Sequence, residues 1–407
     1  MTLSALFVLM TITGFDSEAC TSAIISGRVT ADGRPLLWKN RDTSDDQNKV
    51  MFFNDGKYRY VAIAGTEETV NSIWIGYNEK GFAIMNTVSR NIVPEGEEVL
   101  GRNGRLMKEA LMQCADMADF EKFLDEHARP LGANTNLGVI DAAGNAAYYE
   151  VNNDTYIKFD VNDPATAPLG YIARSNFSFA GNTTTGAGYA RFVAADELTR
   201  QGVLHKDISP SYIFDNLARC YYNPVTGINL KEGSYNRPNT TGWFVDQDFI
   251  TRYTSVSDVV IQGVKEGENV ELMTMWTIVG WPSTTVAVPV WLAPGEEGAN
   301  NLLWSKSGSC DLCKWGVDLK KKVYSFTAEP SKTSTYFNWE MLWNPQGEGI
   351  IQKVTTVEHE VLAIYSKALE GWRKAGSIDR KELKKINGVC EEKIRSFYAQ
   401  DLSVDID

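Results

Sequence analysis

Residues 20–42 read CTSAIISGRVTADGRPLLWKNRD, which is two apolar runs on either side of a short polar turn. The runs Thr21–Ser26 and Pro35–Trp38 flank Ala31-Asp32-Gly33-Arg34. Apolar runs separated by a turn that contains Asp-Gly predict a β-hairpin. The first strand of this hairpin begins directly after Cys20, so the pattern predicts a cysteine at the end of a sheet.

Further hairpins and helices follow along the chain. Two more pairs of strands flank glycine-containing turns, and the pairs are Ser72–Tyr77 with Phe82–Val88, and Leu137–Asp141 with Ala146–Val151. Apolar spacing predicts helices at Arg105–Cys114, Phe120–His127, Tyr189–Arg200 and Pro210–Cys220, and strands at Ser255–Gln262, Met273–Val279 and Thr284–Trp291. Hairpins that alternate with pairs of helices indicate an α+β layered fold.

The last part of the chain differs in pattern from the rest. Residues 296–350 are rich in Gly, Ser, Trp and Lys, and we expect an irregular segment packed on the core. Residues 351–407 carry apolar side chains three or four positions apart, with a break at Gly376, which predicts a pair of antiparallel helices. We therefore expect one main domain over residues 20–295, followed by these two segments.

Composition narrows the classes of function. The 407 residues are 43% hydrophobic and 11% aromatic, values typical of a globular protein with a large core. The formal net charge of −12 argues against binding to nucleic acid, which requires a basic face. We also expect no membrane span, because no apolar run reaches 18 residues.

Residues 1–19 resemble a signal peptide. Leu3–Ile12 is apolar but too short to span a membrane, and small residues at Ser17 and Ala19 fit a cleavage site after Ala19. This predicts an exported protein, periplasmic or extracellular. The usual basic residue near the start is missing, so a buried N-terminal strand or helix stays open, as does lipidation of Cys20.

Cleavage after Ala19 would make Cys20 the first residue of the chain. An α-amine titrates at about pH 8, so it can act as the base for its own thiol without a histidine. The three histidines, His127, His205 and His359, all lie in or beside helical patterns, which weakens the case for a Cys-His pair. These residues are compatible with an N-terminal cysteine nucleophile, and a small apolar residue beside a cleavage site is the alternative interpretation of Cys20.

A second cysteine pattern, Cys310-Asp311-Leu312-Cys313, is an isolated CxxC motif. A zinc site needs two more ligands, and no nearby His or Cys supplies them. A local disulfide or two free thiols are the favoured interpretations. We expect neither a metal nor an organic cofactor in this protein.

Five segments, taken in order, resemble the N-terminal-nucleophile (Ntn) hydrolases with a cysteine nucleophile. The resemblance is to the branch of choloylglycine hydrolase, penicillin V acylase and the isopenicillin N and 6-aminopenicillanic acid acyltransferases. The segments are Cys20-Thr21 with Lys39-Asn40-Arg41-Asp42, Gly76–Ala83, Leu137–Glu150, Arg174-Ser175-Asn176-Phe177 and Gly188–Phe192. This resemblance covers residues 20 to about 290 and implies a four-layer αββα sandwich, here with a C-terminal helical extension.

The resemblance also implies roles for individual residues. Cys20 would be the nucleophile, Asp42 would bind its amine, and Arg191 would lie beside it. Asn176 would donate a hydrogen bond to the oxyanion, together with a backbone N–H near Asn86 or Thr87. Lys39 stands where relatives carry Arg near the thiol, and an outward-facing strand Lys is the alternative.

The predicted function is a cysteine amidohydrolase or acyltransferase. It would cleave a linear C–N amide bond of a small molecule through a thioester on Cys20. The alternatives are a dipeptidase of the related branch that also begins Cys-Thr, and a non-enzymatic lipidated surface protein. The sequence does not identify the acyl group or the amine of the substrate. The resemblance is compatible with a homo-oligomer.

Overall fold

A computed structural model describes residues 19–65, 70–182, 184–233, 242–304, 310–325 and 335–406. The predicted leader, apart from Ala19, lies outside these residues. The strands of the described part are, in chain order, β1 (Ala19–Ile25), β2 (Leu36–Asp42), β3 (Lys49–Phe53), β4 (Tyr60–Ala64), β5 (Ile75–Asn78), β6 (Ala83–Val88), β7 (Thr135–Ile140), β8 (Ala146–Val151), β9 (Tyr156–Asp160), β10 (Tyr171–Arg174), β11 (Tyr222–Asn223), β12 (Ile228–Asn229), β13 (Trp243–Val245), β14 (Ser255–Gln262), β15 (Thr274–Val279), β16 (Val288–Val290) and β17 (Tyr336–Asn338). The helices are α1 (Asn103–Gln113), α2 (Met117–Glu126), α3 (Tyr189–His205), α4 (Pro210–Asn216), α5 (Asp311–Val323), α6 (Trp339–Leu342), α7 (Ile350–Ala375) and α8 (Arg380–Gln400).

Two antiparallel sheets form the centre of the protein. One has six strands in the order β10-β1-β2-β14-β15-β16, and the other is a seven-stranded meander from β3 to β9. They pack face to face, with β1 and β2 against β6, β7 and β8. The hairpin predicted from residues 20–42 is confirmed as β1 and β2, which lie in the interior of the first sheet.

Helices cover the outer face of each sheet. On the seven-stranded sheet, α1 packs on β5 and β6, and Phe120 of α2 packs on Phe82 and Tyr149. On the six-stranded sheet, α3 packs on β1 and β10, α4 on β14, α5 on β15 and α7 on β16. The arrangement is therefore a four-layer αββα sandwich, as predicted.

Burial explains why β1 lacks the alternation of an ordinary surface strand. Every residue from Ala19 to Ile25 is buried, because the second sheet covers one face of the strand and α3 covers the other. Small and β-branched side chains fit such a doubly covered strand. The strand that carries Cys20 is thus fixed on both faces as well as by its two neighbours, β2 and β10.

The two predicted C-terminal helices are confirmed as α7 and α8. The first ends directly before Gly376 and the second begins at Arg380, so the break lies where the sequence predicts it. Gly376 has a φ of 77°, the left-handed conformation that commonly ends a helix at glycine. Of the helices described, none is long and apolar enough to cross a membrane.

Two sequence predictions of secondary structure were wrong. The segment 296–350 is not irregular throughout, because α5 occupies Asp311–Val323 and buries Leu312, Trp315 and Leu319 on one face. The strand predicted at Thr284–Trp291 is limited to β16, because Trp281 and Thr284 close a turn through a backbone hydrogen bond of 3.0 Å. The apolar residues of α5 were overlooked because they stand among lysines, whereas the strand was predicted too long because the turn at Trp281–Thr284 delays its start.

A fully buried ion pair ties the C-terminal extension to the main domain. Arg219 donates to both carboxylate oxygens of Glu358 in α7, at 2.8 and 2.7 Å, and neither side chain is exposed. Glu358 also accepts from the backbone nitrogen of Ala287, at 2.6 Å. One carboxylate therefore links α7 to two other segments of the chain.

Glu358→Gln should destabilise the protein by about 3 kcal/mol, because it leaves the buried charge of Arg219 without its counter-charge. Urea unfolding followed by circular dichroism measures this loss. The matched control is Glu360→Gln, which removes the exposed partner of Lys393 and should cost less than about 1 kcal/mol. Equal effects of the two substitutions would contradict the importance of the buried pair.

Candidate active site

Cys20 is the second residue of β1, an inner strand of the six-stranded sheet. It is 4% exposed and is paired with Arg41 of β2. Ser22, two residues along and on the same face of the strand, shares a hydrogen bond of 2.8 Å with Tyr148 of the seven-stranded sheet. The Cys20 side chain therefore lies on the face of β1 that is directed at the second sheet.

Asn176 and Arg191 hold the backbone of Cys20. The Cys20 nitrogen donates to Asn176 Oδ1 at 3.1 Å, and Arg191 Nη2 donates to the same oxygen at 2.8 Å. Arg191 Nη1 also donates to the Cys20 carbonyl oxygen, at 2.8 Å, and to Thr21 Oγ1, at 3.0 Å. The structure thus brings together three of the residues that the sequence singled out.

The approach of Arg191 depends on a glycine at the start of α3. Gly188 precedes the helix with a φ of 78°, and a Cβ atom at this position would collide with the Arg191 guanidinium. Both the left-handed backbone and the close contact therefore favour glycine. This explains the Gly-x-x-Arg spacing of Gly188 to Arg191 in physical terms.

A chain of alternating charges extends from Arg191 to Asp42. Arg191 Nε and Arg252 Nη1 each donate to Asp248 Oδ1 at 2.7 Å, and Arg252 Nη2 donates to Asp42 Oδ2 at 3.0 Å. Burial, together with the neighbouring charge of Arg252, lowers the pKa of Arg191. Burial also acts to lower the pKa of Arg252, but the carboxylates of Asp42 and Asp248 outweigh burial, so the pKa of Arg252 is raised.

Asp42 therefore reaches Cys20 only indirectly. Its second oxygen accepts from Ser255 Oγ at 2.5 Å, and its partner across the strands is Ala19. Among the hydrogen bonds of the described residues there is none between Asp42 and the Cys20 nitrogen, although the resemblance implied one. The role of Asp42 stays a prediction, and its connection to Cys20 runs through Arg252, Asp248 and Arg191.

Lys39 and Asn86 form a second group between the sheets. Lys39 Nζ donates to Asn86 Oδ1 at 2.7 Å and to the Trp74 carbonyl oxygen at 3.0 Å. Lys39 is opposite Ser22, whereas Arg41 is opposite Cys20. Lys39 is 2% exposed, so it is not an outward-facing strand lysine.

Arg41 is a residue that the sequence analysis missed. Its guanidinium lies 4.0 Å from the centre of the Trp74 ring, and Nη1 donates to Asn48 Oδ1 at 2.6 Å. The hairpin register could have identified it, because an antiparallel pairing that places Lys39 opposite Ser22 also places Arg41 opposite Cys20. Arg252 and Asp248 were missed as well, and no local pattern marks them, since they come from the connection between β13 and β14.

Asn176 is fully buried, and its remaining contacts fix the orientation of the amide. Nδ2 donates to the Val88 carbonyl oxygen at 2.8 Å. Because Arg191 can only donate, Oδ1 must be the atom that faces it, so the amide cannot be turned over. An amide nitrogen carries two hydrogens, and Val88 takes one of them.

The other cysteines and the histidines lie outside this site in the described part of the chain. His127 and His205 are at the ends of α2 and α3, and His359 of α7 bonds Asp215 at 2.9 Å. Cys310 and Cys313 carry free thiols, which is the second of the two interpretations offered by the sequence.

A cleft of about 550 Å³ opens beside Ala19. Its lining includes Gly188, Arg191, Asp248 and Arg252. The backbone on the amino side of Cys20 therefore borders an open space whose walls carry both signs of charge.

Known proteins support the resemblance deduced from the motifs. The family model described as acyl-coenzyme A:6-aminopenicillanic acid acyl-transferase matches residues 29–182. This match confirms the predicted resemblance over a stretch that contains Lys39, Asp42, Asn86 and Asn176, while Cys20 and Arg191 lie outside it. No curated protein sequence matches the chain.

Three solved structures illustrate what the chain is similar to. A variant of conjugated bile acid hydrolase from Clostridium perfringens is 12% identical, with a TM-score of 0.42 and coverage of 67% of this chain and 92% of that chain. The N-acylethanolamine-hydrolyzing acid amidase ortholog from Caenorhabditis elegans is 12% identical, with a TM-score of 0.41 and coverage of 60% and 92%. Penicillin V acylase from Agrobacterium tumefaciens is 13% identical, with a TM-score of 0.38 and coverage of 67% and 86%.

Asp246, in the wall of the cleft, has an unusual environment. Its Oδ2 accepts from the Tyr253 nitrogen at 2.7 Å, but its Oδ1 is enclosed and has no hydrogen-bond partner among the described residues. Burial, which outweighs the attraction of Arg252, raises the pKa of Asp246 to about 7. The folded protein therefore holds a proton that the unfolded chain releases at about pH 4.

This pKa predicts a pH-dependent effect of Asp246→Asn. Because the folded state binds the extra proton, the contribution of Asp246 to the stability of the wild type should fall as the pH rises from about 4 to 7, by at most about 1.4 kcal/mol per pH unit. The variant does not titrate, so its stability relative to the wild type should rise from pH 5 to pH 8.

Urea unfolding at the two pH values measures this difference. Asp154→Asn, which changes an exposed carboxylate in a turn, serves as the matched control for the loss of one carboxylate. A pH-independent effect of Asp246→Asn would show that this carboxyl is already ionised at pH 5.

Proposed function

We propose that the protein is a cysteine amidohydrolase or acyltransferase whose nucleophile is Cys20, exposed by removal of residues 1–19. The observation that carries this proposal is the convergence of Asn176 and Arg191 on the Cys20 backbone nitrogen and carbonyl oxygen. The match to an acyltransferase family model supports the same class of chemistry. Export to the periplasm or the extracellular space is part of the proposal, because residues 1–19 resemble a signal peptide.

In the first step the Cys20 thiol would attack the amide carbonyl carbon. The α-amine of Cys20 would take the thiol proton and pass it to the leaving amine, which leaves a thioester on Sγ. Water or a second amine would then attack the thioester and release the acyl group. Each step needs the amine, so a chain that still carries Ala19 would be inactive.

Arg191 would help the amine to act as a base. The guanidinium of Arg191 and the Cys20 nitrogen both donate to Asn176 Oδ1. The positive charge of Arg191 therefore lies close to the amine. A nearby cation disfavours the ammonium form and favours the neutral amine. Asn176 Oδ1 would at the same time orient the amine toward its own thiol.

Other site residues would act on the charges that develop during the reaction. The second hydrogen of Asn176 Nδ2 would donate to the oxyanion, a contribution of about 3 kcal/mol for such donors. Lys39, held by Asn86, and Arg41, opposite Cys20, would favour the thiolate. Asp42 would fix Arg252 and thereby keep the charges of the group in balance.

Neither alternative function is favoured by a specific observation. The family-model match supports acyl-transfer chemistry and gives no support to a dipeptidase. Intact mass and N-terminal sequencing of the exported protein test the lipidated alternative. A diacylglycerol adduct on Cys20 would block the nucleophile and overturn the proposal, whereas a free cysteine as first residue supports it.

Cys20→Ser should lower the amidase activity of the protein by at least a hundredfold and leave the fold intact, because a hydroxyl is a much poorer nucleophile than a thiolate. The assay uses a panel of acyl-amides on processed protein, with unprocessed protein as a control. Cys390→Ser replaces a thiol that is also buried, in α8, and should keep its activity. Near-normal turnover by Cys20→Ser would exclude this mechanism.

Asn176→Ala should lower kcat much more than it raises KM, since oxyanion donation and amine orientation are both needed in the transition state. Steady-state kinetics on the best amide of the panel give both constants. A rise in KM at constant kcat would instead assign Asn176 to substrate binding.

A further inference from the structure

We propose that Asn136 and Glu150 act as positioning residues that hold the turn carrying Asn176 in its working geometry. They lie on neighbouring strands of the seven-stranded sheet, directly opposite each other in the register of β7 and β8. We name this pair the β7–β8 clamp. The proposal rests on the proposed function, since it concerns the residue that would orient the Cys20 amine.

Glu150 binds the turn on both sides of Asn176. Its Oε1 accepts from Arg174 Nε at 2.9 Å and from the Phe179 nitrogen at 3.0 Å, and its Oε2 accepts from the Ala180 nitrogen at 2.7 Å. Its side chain is fully buried. One carboxylate thus joins the end of β10 to the chain that follows Asn176.

Asn136 binds the residues immediately next to Asn176. Its Nδ2 donates to the Ser175 carbonyl oxygen at 3.2 Å and to the Phe177 carbonyl oxygen at 3.0 Å. Its Oδ1 accepts from Ser178 Oγ at 2.6 Å. The two clamp residues together therefore contact the segment before and after Asn176 through six hydrogen bonds.

These contacts link the two sheets at the site. The clamp belongs to the seven-stranded sheet, whereas Asn176 follows β10 of the six-stranded sheet and binds Cys20 of β1. The position of Asn176 relative to Cys20 consequently depends on how the second sheet holds the turn. A shift of about 1 Å in such a group is enough to reduce a rate about a hundredfold.

The charge of Glu150 is required by its partner. Arg174 is 4% exposed, and its guanidinium lies 4.5 Å from the Phe179 ring centre and 4.9 Å from that of Phe159. Burial lowers the pKa of Arg174, against the attraction of Glu150. A buried ion pair adds little net stability compared with apolar side chains of similar size. The benefit that we expect from this pair is therefore a fixed position of the turn.

The shape of the carboxylate also matters. Three N–H groups donate to Glu150, and two oxygens are needed to accept them in this arrangement. A glutamine has one oxygen, and its NH₂ group would face an N–H of the turn. Glu150→Gln should therefore release one end of the turn while it keeps the size of the side chain.

The experiment compares Glu150→Gln with Glu358→Gln. Both substitutions remove the charge of a buried glutamate that accepts from one arginine and from backbone nitrogen, but Glu358 lies on α7, outside the candidate site. Asn136→Ala is the second clamp variant and removes no charge. For each variant, hydrogen exchange of residues 175–182 and the values of kcat and KM are measured on the processed protein.

We expect faster exchange of the Phe179 and Ala180 amides in Glu150→Gln, with kcat reduced at least tenfold and KM changed less than twofold. Asn136→Ala should act in the same direction. Glu358→Gln should lower the thermal stability but leave both kcat and the exchange of residues 175–182 as in the wild type.

Two outcomes would overturn the proposal. Unchanged exchange in both clamp variants would show that the clamp does not order the turn, and a loosened turn with normal kcat would show that its order does not matter for the reaction. A wild type that cleaves no amide would refute the proposed function instead. The exchange measurement would still decide in that case whether the clamp holds the turn.

Discussion

The shared hydrogen-bond acceptor Asn176 Oδ1 is the point on which the site depends. It accepts from the Cys20 nitrogen and from Arg191, and so connects the first strand of the sandwich, the turn after β10 and the first helical turn of α3. The strand β1 is far from the other two segments in the sequence, and the pairing of β1 with β10 and the packing of α3 on both strands bring the three together. Any change that separates the helix from the sheet would therefore remove the hydrogen bonds of Arg191 to Asn176 and to the Cys20 carbonyl oxygen.

Charge balance is the second requirement of this arrangement. Two arginines and two aspartates alternate from Arg191 to Asp42, and a buried charge is tolerated only when it is paired and hydrogen-bonded. The same rule applies to Arg174 with Glu150 and to Arg219 with Glu358. The protein thus uses buried arginines to connect sheets, helices and turns, while the apolar side chains of the core provide the larger share of stability.

The sequence was informative where local pattern determines structure. The hairpin of residues 20–42, the strand Ser255–Gln262 and the break at Gly376 were predicted correctly, because turn residues and apolar spacing act over a few neighbours. The helix α5 was missed because its apolar residues stand among lysines.

The site could be predicted only in part, for the same reason. Cys20, Asn176 and Arg191 lie in recognisable motifs, whereas Arg252 and Asp248 reach the site through a long connection without regular pattern. The link between Asp42 and Arg252 spans 210 positions, and no local rule predicts a contact over such a separation.

The position of Ala19 constrains when the proposed removal of residues 1–19 can take place. Ala19 is 8% exposed and is already part of β1, paired with Asp42 in the interior of the six-stranded sheet. A peptidase needs its target bond in an extended segment that can enter its own active site. Ala19 borders the cleft, but the bond between Ala19 and Cys20 is paired into a completed sheet and does not meet this condition. If a separate enzyme makes the proposed cut before Cys20, it would consequently have to reach the chain while β1 is still unpaired, and a chain that folds first would keep residues 1–19.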